Sequence, residues 1–183
     1  MTRIWRPSRD EILAAARRRV PDILAAGLRV VFCGINPSLY SAAVGHHFAR
    51  PGNRFWPAIH RAGFTDRLLS PFEDHRLLEY GLGVTNIADR ATATADLVSA
   101  DELLAGARRL TRKLRKHRPA AVAFLGISAY RMAFGNPRAT LGEQPEKLAG
   151  CAVWVLPNPS GLNAHYQVAE LARLYAELRR TMS

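Results

Sequence analysis

Apolar residues recur along this chain in two rhythms. Four short, continuous runs, at residues 28–33, 83–87, 121–125 and 152–156, predict strands buried on both faces. Between them the period lengthens to that of a helix. Leu103, Ala107, Leu110 and Leu114 share one face of a helix over 102–118, and Val168, Leu171, Tyr175 and Leu178 share one face of a closing helix. Polar punctuation sets the ends. Ser8 with Glu11 and Ser99 with Glu102 form capping boxes. The first helix is expected over 8–20, because Pro21 disfavours helical backbone at Val20. Asn53 can cap a helix from Arg54 that Gly63 ends, and further helices are expected near 71–80 and over 128–134. Residues 88–98 and 135–150 read as loops. Strands alternating with helices predict an α/β protein. The expected architecture is a three-layer α/β/α sandwich with a central, mainly parallel four- to five-stranded sheet. One domain over 1–183 is expected, its N-terminal helix preceding a core of 28–180.

In an open parallel sheet, ligands bind in the crevice beyond the strand C-termini. Two strands end there in similar punctuation. Gly34-Ile35-Asn36-Pro37-Ser38 follows the first, and Asn158-Pro159-Ser160-Gly161-Leu162 follows the last. Parallel strands would open both loops on one edge, so Asn36 and Asn158 are expected near one crevice. Asn-Pro-Ser is also ordinary turn chemistry, and either loop alone could be structural.

Composition narrows the partners. The 183 residues carry a formal net charge of +11, which points to a polyanion, nucleic acid first. Arg108, Arg109, Arg112, Lys113, Arg115 and Lys116 crowd the polar faces of one helix, as a phosphate-contact surface or as a solvated face. No apolar run is long enough to span a membrane, and residues 1–11 lack the core of a signal peptide. A cytoplasmic location is expected. The two cysteines, Cys33 and Cys151, lie in separate apolar runs, which argues against a disulfide framework or a four-cysteine metal site. No metal and no other cofactor is expected.

Residues 28–178 resemble the mismatch-specific uracil-DNA glycosylases (Mug) of the Mug/thymine-DNA glycosylase family, within the uracil-DNA glycosylase superfamily. The matching pieces are GINPS at 34–38, FARPGNRFW at 48–56, AGF at 62–64, GVTNIADR at 83–90 and LPNPSGL at 156–162, in the family order and with similar spacing. The resemblance implies a monomeric base-excision-repair hydrolase that takes uracil from mismatches in double-stranded DNA and leaves an abasic site. A stacked base is out of reach, so it must be extruded into a pocket at a cost of a few kcal/mol. By resemblance, Asn36 positions the attacking water and Phe48 stacks on the extruded base. Ile35, Ser38 and Ser41 line the pocket, with backbone N–H groups near Ser38 and Phe48 reading the uracil edge. Asn158 faces the departing base. Leu162 is the wedge that fills the vacated stack, on a DNA-contacting loop with Ser160, Gly161, Asn163 and His165.

Three positions depart from the pattern. Ser38 stands where the family commonly has glycine, which predicts a narrower pocket that prefers uracil and processes thymine poorly. Asn163-Ala164-His165 follows the last motif where Ser-Arg is frequent, which weakens the expectation of guanine preference opposite the lesion. Asn86 stands where an acidic residue could act as a base in related enzymes. Asp89 is expected to pair with Arg90 or cap a loop, and His46 and His47 to contact phosphates or the pocket rim. The three lysines, Lys113, Lys116 and Lys147, lie outside both motifs, so no amine is expected for a strand-cleaving Schiff base. Two other readings stay open: a non-catalytic nucleic-acid-binding domain, and a glycosylase for another base such as ethenocytosine or hypoxanthine.

Overall fold

The computed structural model describes residues 6–182. Strands β1 (Val30–Gly34), β2 (Leu82–Asn86), β3 (Ala121–Leu125), β4 (Gly142–Glu143) and β5 (Ala152–Leu156) form one sheet in the order β2-β1-β3-β5-β4. Neighbours are parallel except β4, a two-residue edge strand antiparallel to β5. Phe32, Ala123 and Leu156 point to one face, against helices α3 (Phe55–Arg61) and α6 (Val168–Arg180). Cys33, Phe124 and Val155 point to the other, against α4 (Ala100–His117) and α5 (Ile127–Phe134). Burial on both faces explains why the strands read as unbroken apolar runs. The architecture is the expected α/β/α sandwich. Among the described residues, no helix is long and apolar enough to cross a membrane.

The capping boxes at Ser8 and Ser99 form as expected. The first helix, α1 (Arg9–Ala14), nevertheless ends early and passes through a 3-10 turn at Ala15–Arg17. The chain is needed elsewhere. Val20 packs with Ala42, Ala43 and Ala91, and Ile23 exchanges two backbone hydrogen bonds of 2.9 Å with Val84. This single bridge covers the open edge of β2, where unpaired strand groups would otherwise face water. Three more features depart from the pattern reading. A short helix, α2 (Leu39–Val44), follows the first motif. The segment Pro71–Tyr80 is 3-10 rather than α, with non-helical backbone at Glu73. The expected loop 135–150 holds β4.

Candidate active site

The two motif loops leave β1 and β5 at the same edge of the sheet. Pairing between the β1 and β2 chains continues past the strands: Ile87 N–H donates to Gly34 O, Ala88 N–H to Ile35 O and Thr92 N–H to Pro37 O. The loop after β1 is therefore held by backbone, and Asn36 sits on a fixed base. Ser38 then caps α2, its Oγ accepting from Ser41 N–H at 3.1 Å.

The two asparagines are committed in opposite senses. Asn36 Nδ2 donates to Arg90 O at 2.8 Å and to Thr92 Oγ1 at 2.6 Å, which leaves its Oδ1 as an acceptor. Asn158 Oδ1 accepts from Ser160 N–H at 2.9 Å, which leaves its Nδ2 as a donor. Both residues line one cleft of about 90 Å³.

Phe48 lies on the cleft wall in left-handed backbone, φ 52°, a conformation a bulky residue adopts only when its surroundings hold it there. Its ring stacks on Phe55 with centroids 4.1 Å apart. The preceding residues are clamped. Buried Asp74 accepts from the His46 ring Nδ1 and from His47 N–H, each at 3.0 Å. His47 Nε2–H donates to Pro21 O at 2.8 Å, and the Trp56 indole donates to His47 O. Burial pushes the His47 imidazole below its ordinary pKa, so the ring is held neutral. Ser41 Oγ closes the far side by accepting from Ala49 N–H. The backbone N–H groups of Ser38 and Phe48 have no partner among the described residues.

The second loop is tied through Arg54 to the segment that leads into α3. Its backbone N–H donates to Pro159 O, and its Nη1 donates to the carbonyls of Ser160 (3.2 Å), Asn163 (2.7 Å) and Tyr166 (3.0 Å). Leu162, at the end of this brace, is 60% exposed at the cleft. Leu13, Leu68 and Leu97 are about as exposed, so it is the place at the cleft, not the exposure, that sets Leu162 apart.

The family model of the uracil DNA glycosylase superfamily matches residues 21–179. The chain belongs to this superfamily. The fold agrees with a candidate uracil DNA glycosylase from Methanosarcina acetivorans, solved by NMR. The match has a TM-score of 0.57 at 18% identity and covers 89% of this chain and 98% of that one. Membership assigns the chain to the DNA glycosylases, hydrolases that act on DNA containing uracil.

The cleft gathers Ile35, Asn36, Ser38, Ser41, Phe48, Asn158, Ser160, Gly161 and Leu162. Two of the expected residues are not in its lining. Asn163 spends its side chain inside the loop, donating to Asn158 O and accepting from His165 N–H, and His165 is exposed beyond it. Of the two histidines expected at phosphates or the pocket rim, His47 lines the cleft with its ring tied to Pro21 O, whereas His46 is outside the lining and its ring is held by Asp74. The Asp89 expectation is corrected too: it pairs with Arg19 and Arg109, while Arg90 pairs with Glu102.

Sequence reading noted Asn86 only as a departure from the pattern and gave Arg54 no role at the site. Asn86, 7% exposed, lines the cleft with no side-chain partner among the described residues. A Cβ on Gly34, its partner in the strand register, would lie 2.5 Å from Asn86 Oδ1, so glycine there lets this amide approach. Parallel pairing of the two strands could have flagged Asn86. No pattern flagged Arg54.

Proposed function

We propose that this protein is a monofunctional glycosylase that removes uracil from duplex DNA, above all opposite guanine, and leaves an abasic site. The opposed commitment of the two cleft amides supports this reading most. Hydrolysis of the base–sugar bond needs an acceptor aimed at water on one side and a donor aimed at the departing base on the other. Asn36 Oδ1 accepts a hydrogen bond from the water and turns its oxygen toward C1′. Asn158 Nδ2 donates to a carbonyl oxygen of the base as the bond breaks and its electron pair leaves with the ring. The water oxygen then bonds to C1′, and its proton passes to solvent. An amide is a feeble base, so bond breaking runs ahead of attack, which a uracil anion tolerates as leaving group.

The remaining cleft residues fit the same substrate. The Phe48 ring offers a stacking surface, worth about 1–3 kcal/mol per base. Asn86 presents both an amide donor and an amide acceptor, which can meet the donor–acceptor edge of uracil. Leu162 fills the gap in the duplex, with the backbone of Gly161 and Leu162 facing the orphan base. No lysine lines the cleft, in keeping with simple hydrolysis. Ser38 narrows the pocket against the thymine methyl.

The test is excision by excess protein on duplexes carrying U opposite G, U opposite A, T opposite G, and on single-stranded U, each developed with alkali. The reading expects alkali-dependent cleavage, strongest for U opposite G and weak or absent for T. Cleavage without alkali would refute the monofunctional assignment. No cleavage of any uracil substrate would refute the substrate.

A further inference from the structure

The basic helix α4 has no part in the cleft. Its apolar edge, Leu103, Ala107, Leu110 and Leu114, packs on the sheet. Arg108, Arg112 and Arg115 fall within roughly 60° of one another on the outward side at 3.6 residues per turn, with Lys116 beside them. All four are exposed, and none pairs with a carboxylate among the described residues. Their neighbours are spent: Lys113 is held by Asp22 at 2.6 Å, and Arg109 shares Asp89 with Arg19. The acids of the helix, Asp101 and Glu102, lie in its first turn, and Glu102 is taken by Arg90. From residue 103 to 118 the sequence holds no acid.

The direction of α4 separates this face from the cleft. The helix starts just after Ala93, Thr94 and Ala95, which line the cleft. It ends at the opposite edge of the sheet, where His117 O accepts from Gly27 N–H and Leu28 O accepts from Ala120 N–H. At a rise of about 1.5 Å per residue, Arg112 and Arg115 stand roughly 20 and 24 Å along the helix from Ser99. Arg108 stands about 14 Å along by the same rise, so the centre of this face lies well back from the cleft end of the helix.

We propose that this face is a second, non-catalytic binding surface for duplex DNA, which holds one segment while the cleft engages another. Arg108 to Arg115 spans about 10 Å, roughly three phosphate intervals at 3.4 Å of axis per strand charge. Unpaired arginines suit phosphate oxygens, to which guanidinium can donate two parallel hydrogen bonds. The inference rests on the proposed function only for the identity of the cleft's ligand.

The test uses a labelled, uracil-free duplex and the triple variant Arg108→Ala, Arg112→Ala, Arg115→Ala. Alanine keeps an outward helix face helical, and a thermal melt checks the fold. In the native protein, release of the labelled duplex should accelerate as unlabelled duplex is added, because the second segment binds before the first leaves. In the triple variant that acceleration should fall at least fivefold, while single-turnover excision on a short uracil duplex at saturating protein stays within twofold. Equal acceleration in both proteins would overturn the proposal. A tenfold loss of excision would also overturn it, by assigning the face to the catalytic duplex. Acceleration by polyglutamate equal to that by duplex would assign the face to acidic proteins instead. Transfer that persists without any uracil excision would sink the glycosylase reading alone.

Discussion

A Cβ on Gly161 would lie 2.6 Å from the carbonyl oxygen of Gly52, so the loop after β5 and the cleft-lining segment between α2 and α3 touch backbone to backbone. No flexible side chain stands between them to give way. Gly161→Ala should push the Leu162 loop off its seat. Single-turnover excision of U opposite G should fall at least tenfold while the melting temperature moves little, because the strain lies in an exposed loop. A variant with native excision would show that the Gly161–Gly52 contact does not position the wedge.

Arg54 braces the same junction through three carbonyls. Arg54→Ala should cost about 2–3 kcal/mol, as charged hydrogen bonds are lost and carbonyls left short of a donor. Urea unfolding measures this. Arg54→Lys should recover less than half, since the shorter lysine ends one bond before the Nη1 that makes all three contacts. Full recovery by lysine would reduce the brace to simple charge.

Ser38 has two duties that the sequence did not separate. It caps α2 and it lines the cleft. Ser38→Gly should lose only a few tenths of a kcal/mol, because glycine is tolerated at an N-cap. It should also raise excision of T opposite G relative to U opposite G. An unchanged ratio would mean that Ser38 is not the gate.

Acid should destabilise the fold in two stages. Burial lowers the His47 pKa, so the native state resists a proton that the unfolded chain accepts. The unfolded state then binds more protons, and stability falls as pH drops below about 6.5. The Arg67 and Arg90 guanidiniums hold Glu73 and Glu102 down to about 2 from the usual 4.5. Stability from these pairs is fully present above pH 4.5 and is lost as pH falls toward 2. Melting curves from pH 8 to 3 should show both descents. His47→Gln should remove the first, and molar salt should flatten the second, because exposed pairs are screened. A first descent that survives His47→Gln would contradict this origin.

The fold was legible because its signals are local and redundant. β3 and β5 lie where their apolar runs predict, and the boxes at Ser8 and Ser99 cap the helices they promised. What escaped the sequence was set by distant partners. The chain after Arg17 leaves the helix to cover the edge of β2, a need visible only once Ile23 meets Val84. His46 and His47 look like exposed polar residues until Asp74, far along the chain, turns them inward. At the site, Asn36 and Asn158 could be brought together by topology alone. Which amide atom each presents could not, because that depends on Arg90, Thr92 and Ser160.

The central claim is that Asn36, with its Nδ2 tethered, aims its Oδ1 at the attacking water. The most direct measurement is single-turnover excision of U opposite G by Asn36→Ala, with duplex affinity measured alongside. The account predicts a rate loss of about 10²–10⁴-fold with affinity retained, the range such positioned groups contribute. A loss of less than tenfold, at native affinity, would contradict it.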